Sequence, residues 1–514
     1  MYSSKTSNLA TDKFSDRGKD IPISDDMNYN LNKLGAIFVY PENKDFIVRD
    51  VNISSLDCDG KLIYLLGTAS TDLIQTDIIK PLQRKVTPSF INTEIDVGTY
   101  LIRNVISSRN VKMVDTYKQI VDEIVNGNTI LLVYGYTRAI SISSTEFESR
   151  SVEKPTVENS IRGPKESFTE SCTVNKSLIR KYLKDPKLVC ESLVMEGSVY
   201  NEVFILYIKD IASPELISDI KKRIYKIKSD NIQSLSYLEQ YIEDKTYSIV
   251  PTMLFTERPD RVAAFLQEGH IAIAMQGSPY CLIAPITFWN LFHVPIDQYY
   301  RWPYGNFSRI FRALATFLAL LTPGLYLAIS SYHIDMLPTD LTLAIAASRE
   351  KLPLPSTLEV LVMQLAFDLM REAGIAAPSL LGNTIGIVGA LILGQAAVEA
   401  NIVSPINVIV VSVTGLASFG ITDSSLYFLI RLSSYILLFA GSFLGFFGVS
   451  ACFTILLAYI STVESFGVPF LSPTTPFYKS SKDTIMKPAI RKQSIRPLNM
   501  HPLDKIRSRK RNGD

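Results

Sequence analysis

The residues best placed to do chemistry in this chain lie in one segment, Pro355–Glu372 (PSTLEVLVMQLAFDLMRE). At about 100° per residue, a helix here puts Gln364, Asp368, Arg371 and Glu372 on one face. Leu358, Val362, Leu365, Leu369 and Met370 cover the other face. Ser356 and Glu359 have the spacing of a capping box at its start. Such a helix either lies at a membrane interface or lines a polar path through an assembly. In the second reading Gln364, Asp368 and Arg371 stack as polar rings about a symmetry axis. Asp368 then offers a negative ring, partly offset by Arg371, and Val362 or Leu365 an apolar constriction, so that the helix lines or gates a cation-conducting pore. Downstream, Gly382, Gly386, Ala390 and Gly394 recur every fourth residue. That stripe of small residues lets another backbone approach closely, either within one subunit or between subunits. Gly441, Gly445 and Gly448 make a weaker second patch.

Other chemistry finds little support. The four histidines (His270, His293, His333, His501) and five cysteines (Cys58, Cys172, Cys190, Cys281, Cys452) form no cluster with metal-ligand spacing. The cysteines read as free thiols in a reducing compartment. There is no phosphate-binding glycine loop, no GxSxG and no HExxH. No catalytic, cofactor-binding or metal residues are therefore expected, and the chain is not read as an enzyme. Nor is it read as a nucleic-acid binder, because its basic charge is not gathered into a core.

The elements that must carry these residues follow from how charge is spread over the 514 positions. Gly305–Ser465 holds only 6 basic and 9 acidic residues in 161, whereas Phe466–Asp514 holds 11 basic and 3 acidic. The sequence thus predicts two parts: an N-terminal cytosolic α/β region of two small subdomains, then an all-α multi-span membrane domain. Residues 1–44 read as a disordered tail without a signal peptide. Residues 45–144 read as the first α/β subdomain, 145–165 as a polar linker, and 166–300 as the second subdomain. In the last, Ser213-Pro214-Glu215 and the run before Pro259 open helices. Residues 301–465 read as the transmembrane domain, with spans near 313–332, 380–398 and 405–422. The uncharged run 432–463 is either one tilted helix or a pair breaking near Gly441-Ser442. Arg301, Arg309 and Arg312 before the first span, and the basic cytoplasmic tail 466–514, place both ends on the cytoplasmic side. The tail has two compatible readings, a topology signal and a contact with anionic membrane lipid.

Several blocks resemble one known family. RGPKESFTES (Arg162–Ser171), TERPDRVAAFLQEGHIAIAMQGSPYCLIAP (Thr256–Pro285) and FWNLF (Phe288–Phe292) are similar to signatures of the A subunits of GerA-type spore germinant receptors. So are IAASRE (Ile345–Glu350), MREAGIAAP (Met370–Pro378), GALILGQAAVEA (Gly389–Ala400), SPINVIVV (Ser404–Val411) and SFGVPFLSP (Ser465–Pro473). The resemblance spans roughly Asp45 to Pro473. It implies a nutrient-sensing subunit of the spore inner membrane that helps trigger germination of bacterial endospores. It also implies a homo-oligomer around an ion path, working beside a permease-like B subunit and a lipoprotein C subunit. A related accessory paralogue, acting with the dipicolinate channel, shares these blocks and remains an alternative. A stand-alone transporter would need more spans and an internal repeat, which the sequence lacks.

Overall fold

The computed structural model describes residues 20–84, 96–145, 155, 158, 162–195, 202–229, 232–350, 352–376, 394–478 and 483–507. It has a sheet-rich N-terminal head followed by a helical C-terminal part. Each half of the head is built on a five-stranded sheet. The first has the order β1-β2-β4-β5-β3, from β1 (Phe46–Ile53), β2 (Cys58–Leu65), β3 (Val111–Val114), β4 (Thr129–Val133) and β5 (Ala139–Ile142). The second has the order β6-β7-β9-β10-β8, from β6 (Leu188–Val194), β7 (Glu202–Ile208), β8 (Leu254–Thr256), β9 (Ile271–Met275) and β10 (Cys281–Ala284). Every pairing of these strands is antiparallel. Central strands β4 and β9 are buried throughout because helices or partner layers cover both faces.

The expected disordered tail is corrected in part. Helix α1 (Met27–Phe38) starts at Asp26, whose side chain accepts from the Asn28 N–H. It buries Leu34 and Phe38 completely against Phe46, Ile63 and Ile130 of the first sheet. The apolar residues are sparse but recur on one helical face, which suffices once a sheet is there to receive them. Residues 1–19 lie outside the described set. Helix α2 (Tyr117–Val125) covers the same face of that sheet. Helix α3 (Cys172–Tyr182) joins the two halves of the head: buried Asp45 accepts from Lys176 at 3.1 Å and Arg180 at 2.8 Å. The second sheet carries α4 (Pro214–Tyr225), α5 (Leu235–Ile242) and α6 (Pro259–Glu268). Gly269 ends α6 with φ of 100°, a conformation that only glycine adopts freely.

The helical part begins with α7 (Trp302–Tyr332), then α8 (Thr339–Arg349), α9 (Ser356–Ala376), α10 (Pro405–Ser418) and α11 (Ser424–Ser461). Helix α11 is two arms. Gly445 has φ 60° and ψ −143°, outside helical values. Ser433 and Tyr459 would stand about 39 Å apart on a straight helix. Instead they line one cavity of about 310 Å³ together with Leu437, Cys452 and Leu456. The chain therefore reverses at Gly445, a turn later than the Gly441-Ser442 break that the sequence suggested. The second arm returns to the head, where the Tyr459 hydroxyl meets Ser248 Oγ at 3.1 Å.

Helix α7 and the first arm run side by side away from the head. Their closest approach is at Gly324 and Gly441. A Cβ at Gly324 would come within 2.6 Å of the Leu437 carbonyl oxygen, and one at Gly441 would run into the Gly324 carbonyl. The Pro323-Gly324 pair thus marks a crossing of backbones. Of the stripe, Gly382, Gly386 and Ala390 lie outside the described residues, while Gly394 is buried and faces Val408. Gly441→Ala should accordingly destabilise the protein by about 1–3 kcal/mol through overpacking. Gly394→Ala, whose added methyl would meet Val408 at 3.6 Å, should change stability by less than about 0.5 kcal/mol. Thermal melting of the two purified variants distinguishes these outcomes.

Candidate functional site

Gln364, Asp368 and Arg371 of α9 turn into its own helical bundle, while Glu372 stays exposed. Helix α9 runs antiparallel to the first arm of α11: Thr357 pairs with Ser442 near the hairpin tip, and Arg371 lies over the Tyr427 ring at 3.3 Å near the head. Between these ends, Asp368 Oδ2 accepts from Arg431 Nε at 2.8 Å and from the Tyr435 hydroxyl, and Oδ1 accepts from the Tyr427 hydroxyl at 3.4 Å. Arg431 also donates to the Gln364 carbonyl at 3.0 Å. The Gln364 side chain is fully buried, and neither its oxygen nor its nitrogen has a hydrogen-bond partner. Val362 and Leu365 point the opposite way and keep 47% and 46% of their surface exposed.

This arrangement revises the reading of the helix. A segment lying flat at an interface would expose its polar face, yet Gln364 is buried and Asp368 is neutralised within the same chain by Arg431. The sequence could not show this, because Arg431 lies 63 residues further along. The capping-box spacing also resolves differently. Glu359 Oε2 accepts from the Ser404 backbone N–H at 2.9 Å and from Asn407 Nδ2 at 2.7 Å, so it caps the start of α10 instead of its own helix.

A second polar centre joins the head to α7. Asp297 is fully buried and accepts from Arg309 Nε at 3.2 Å and from Arg312 at 2.9 and 3.1 Å. Burial pushes the Asp297 carboxyl up, but Arg312 and Arg309 more than reverse this and hold it below the usual range. Arg309 reaches on to Asp483. The two arginines, expected as flanking topology charges, are therefore consumed in buried ion pairs; Arg301 stays exposed. The expected tail likewise packs back onto the protein. Asn306 brackets the Lys487 backbone at 2.7 and 3.2 Å, and Arg496 donates to the Gln267 carbonyl at 2.9 Å. Leu503 N–H reaches the Ile211 carbonyl at 3.0 Å.

The blocks Arg162–Ser171, Thr256–Pro285 and Phe288–Phe292 meet beside this junction. Arg258 forks onto Asp260 and donates to the Pro164 carbonyl at 3.2 Å, and Arg162 sits over the Tyr300 ring. Arg261 donates to the carbonyls of Asn290 and His293. Burial lowers His293 and His270 to about 4, so both stay neutral near neutral pH. His270 donates from Nδ1 to the Pro285 carbonyl, 2.6 Å away. Among the described residues no group of three or more His, Cys, Asp or Glu side chains could hold a metal ion.

Fold and sites together define a two-part protein: an antiparallel α+β head locked to a helical bundle. Two of the described helices, α7 and α11, are long and apolar enough to cross a membrane. The family model described as "Bacillus/Clostridium GerA spore germination protein" matches residues 33–499, and the chain belongs to that family. It is 35% identical to "Spore germination protein KA" of Bacillus subtilis (strain 168), over 91% of this chain and 86% of that one. It is 32% identical to "Spore germination protein B1" of the same organism, over 95% and 100%. It is 36% identical to that organism's "Uncharacterized membrane protein YfkQ", over 91% and 90%. Among solved structures, the N-terminal domain of the A subunit of the Bacillus megaterium spore germinant receptor GerK3 is 26% identical. It covers 52% of this chain and 98% of its own length, with a TM-score of 0.39.

If Asp368 and Arg431 form a structural pair, their substitutions must be non-additive. Arg431→Met should cost about 3 kcal/mol, the low end for a broken buried pair because the Asp368 side chain keeps 27% exposure. Adding Asp368→Asn should recover part of that loss. Equal and additive losses in melting experiments would show that the two groups do not depend on each other.

Proposed function

We propose that this chain is the A-type subunit of a nutrient-sensing germinant receptor that triggers endospore germination. The observation that carries this reading is the family match across 33–499, which spans head, junction and bundle together. In this proposal the protein sits in the spore inner membrane beside a permease-like B subunit and a lipoprotein C subunit. It crosses the membrane six times, through α7, α9, the span expected at 380–398, α10 and the two arms of α11. Both the head and the segment 483–507 then lie on the cytoplasmic side, in keeping with the packing of that segment against the head at Gln267 and Ile211.

The proposal extends to a homo-oligomer with an ion path. In it the outward apolar face of α9, with Val362, Leu365 and Leu369 exposed in the single chain, meets its copies at the axis. Val362 and Leu365 form the constriction. Gln364, Asp368 and Arg371 brace the helix from behind, since Asp368 is already engaged by Arg431. The stripe Gly382, Gly386, Ala390 and Gly394 supplies close helix packing.

Spores of the native organism lacking this chain should fail to germinate on at least one nutrient to which the parent responds, with ion release lost in step. Val362→Ala or Leu365→Ala at normal abundance should give leaky, nutrient-independent ion release. Germination by the deletion strain as in the parent, on every nutrient the parent uses, would refute the receptor role.

A further inference from the structure

Helix α9 carries a second buried carboxylate that none of these roles uses. Glu359 is fully buried, and only its Oε2 is satisfied, by the Ser404 N–H and Asn407 Nδ2. Its Oε1 has no hydrogen-bond partner. Asn407 is also fully buried, and its Oδ1 is likewise unpartnered. Among the described residues no cationic side chain forms an ion pair with Glu359. Apolar residues close by are Val360 and Val403, which pack with Leu327, Val411 and Leu438; Tyr326 lies against this cluster with its hydroxyl unpartnered, as is the Oγ of buried Ser356 one turn earlier on α9.

A lone carboxylate in such surroundings is costly, and the start of α10 relieves only its Oε2 side. The hydrogen bond of 2.7 Å between the two side chains keeps the free oxygens on adjoining groups. A cation satisfies both oxygens, because its coordination imposes no donor direction. An oxygen donor set with one formal negative charge is balanced by one positive charge. Divalent ions favour sites with more carboxylates.

We propose that Glu359 Oε1 and Asn407 Oδ1 hold a monovalent alkali cation inside the bundle, pinning α9 to the start of α10. The site lies within one chain, on a buried side of α9 and off the exposed face of Val362 and Leu365. It does not depend on the chain conducting ions or sensing nutrients.

The test is melting of the purified full chain in detergent, in sodium or potassium chloride against choline chloride at matched ionic strength. The expected result is a melting temperature that rises by roughly 2–4 °C and saturates with alkali cation, but not with choline. Glu359→Gln, which keeps the shape and one acceptor, should abolish the difference. Should that variant fail to fold, equilibrium binding of radioactive sodium to the parent decides the matter. Saturable binding of one ion per chain, displaced by potassium, supports the site. Identical melting in all three salts together with no saturable binding overturns it. Retention of the cation effect in Glu359→Gln also overturns it, because the ion would then sit elsewhere.

Discussion

The carboxylate of Asp297, with no exposed surface, is the constraint on which the rest of this structure hangs. It lies between the last strand of the head and the first long helix, and it takes hydrogen bonds from two successive turns of that helix, at Arg309 and Arg312. Three charges removed from water cost several kcal/mol each, so the arrangement holds only if every one is met in good geometry. Asp483 supplies the fourth charge through Arg309, which brings the chain's C-terminal segment into the same network. Lys487, four residues later, lies under the same helix and donates to the carbonyls of Asp297 and Gln298. Burial and Arg309 hold that lysine below its ordinary value. Head, first helix and C-terminal segment thus meet at one desolvated centre.

The consequences run outward along α7. Its lower turns are fixed to the head by charge, and its middle is fixed to the first arm of α11 by backbone contact at Gly324 and Gly441. Its end reaches the hairpin tip, where the Tyr332 hydroxyl donates to the Ser442 and Phe443 carbonyls. Arg431 on the same arm then holds Asp368 of α9. A continuous set of packed and hydrogen-bonded elements therefore links the head to the helix that carries the candidate gate. Whether a shift at one end moves the other is a matter of coupling energy, and a chain of contacts by itself supplies only the route.

Much of this was legible in the sequence because it rests on local signals. The change in charge density near Tyr304 marked the head–bundle boundary, since apolar helices cannot carry isolated charges cheaply. Pro214, Pro259 and Gly269 marked helix ends, because each acts through its own backbone. What stayed hidden depended on partners far along the chain. In strand β1, Arg49 and Asp50 interrupt the alternation that marks a strand, which an edge strand tolerates. Residues Val111–Val125 form β3 and then α2, because pairing with β5 overrides local pattern. Arg309 and Arg312 looked like solvated flanks, and Glu359 looked like a cap for its own helix. In each case the deciding partner, Asp297, Asp483 or Asn407, cannot be inferred from neighbouring residues.

The account stands on the claim that Asp297 fastens the head to the bundle, and hydrogen exchange on the full-length protein in detergent tests it most directly. Asp297→Ala leaves Arg309 and Arg312 without their shared carboxylate. The account then expects exchange to rise together in 288–299, in the first turns of α7 and in 483–487, while the buried strand β9 keeps its protection. Unchanged exchange in those three segments, in a variant that stays folded, would contradict it and make the ion network a passive feature of a joint held by apolar packing.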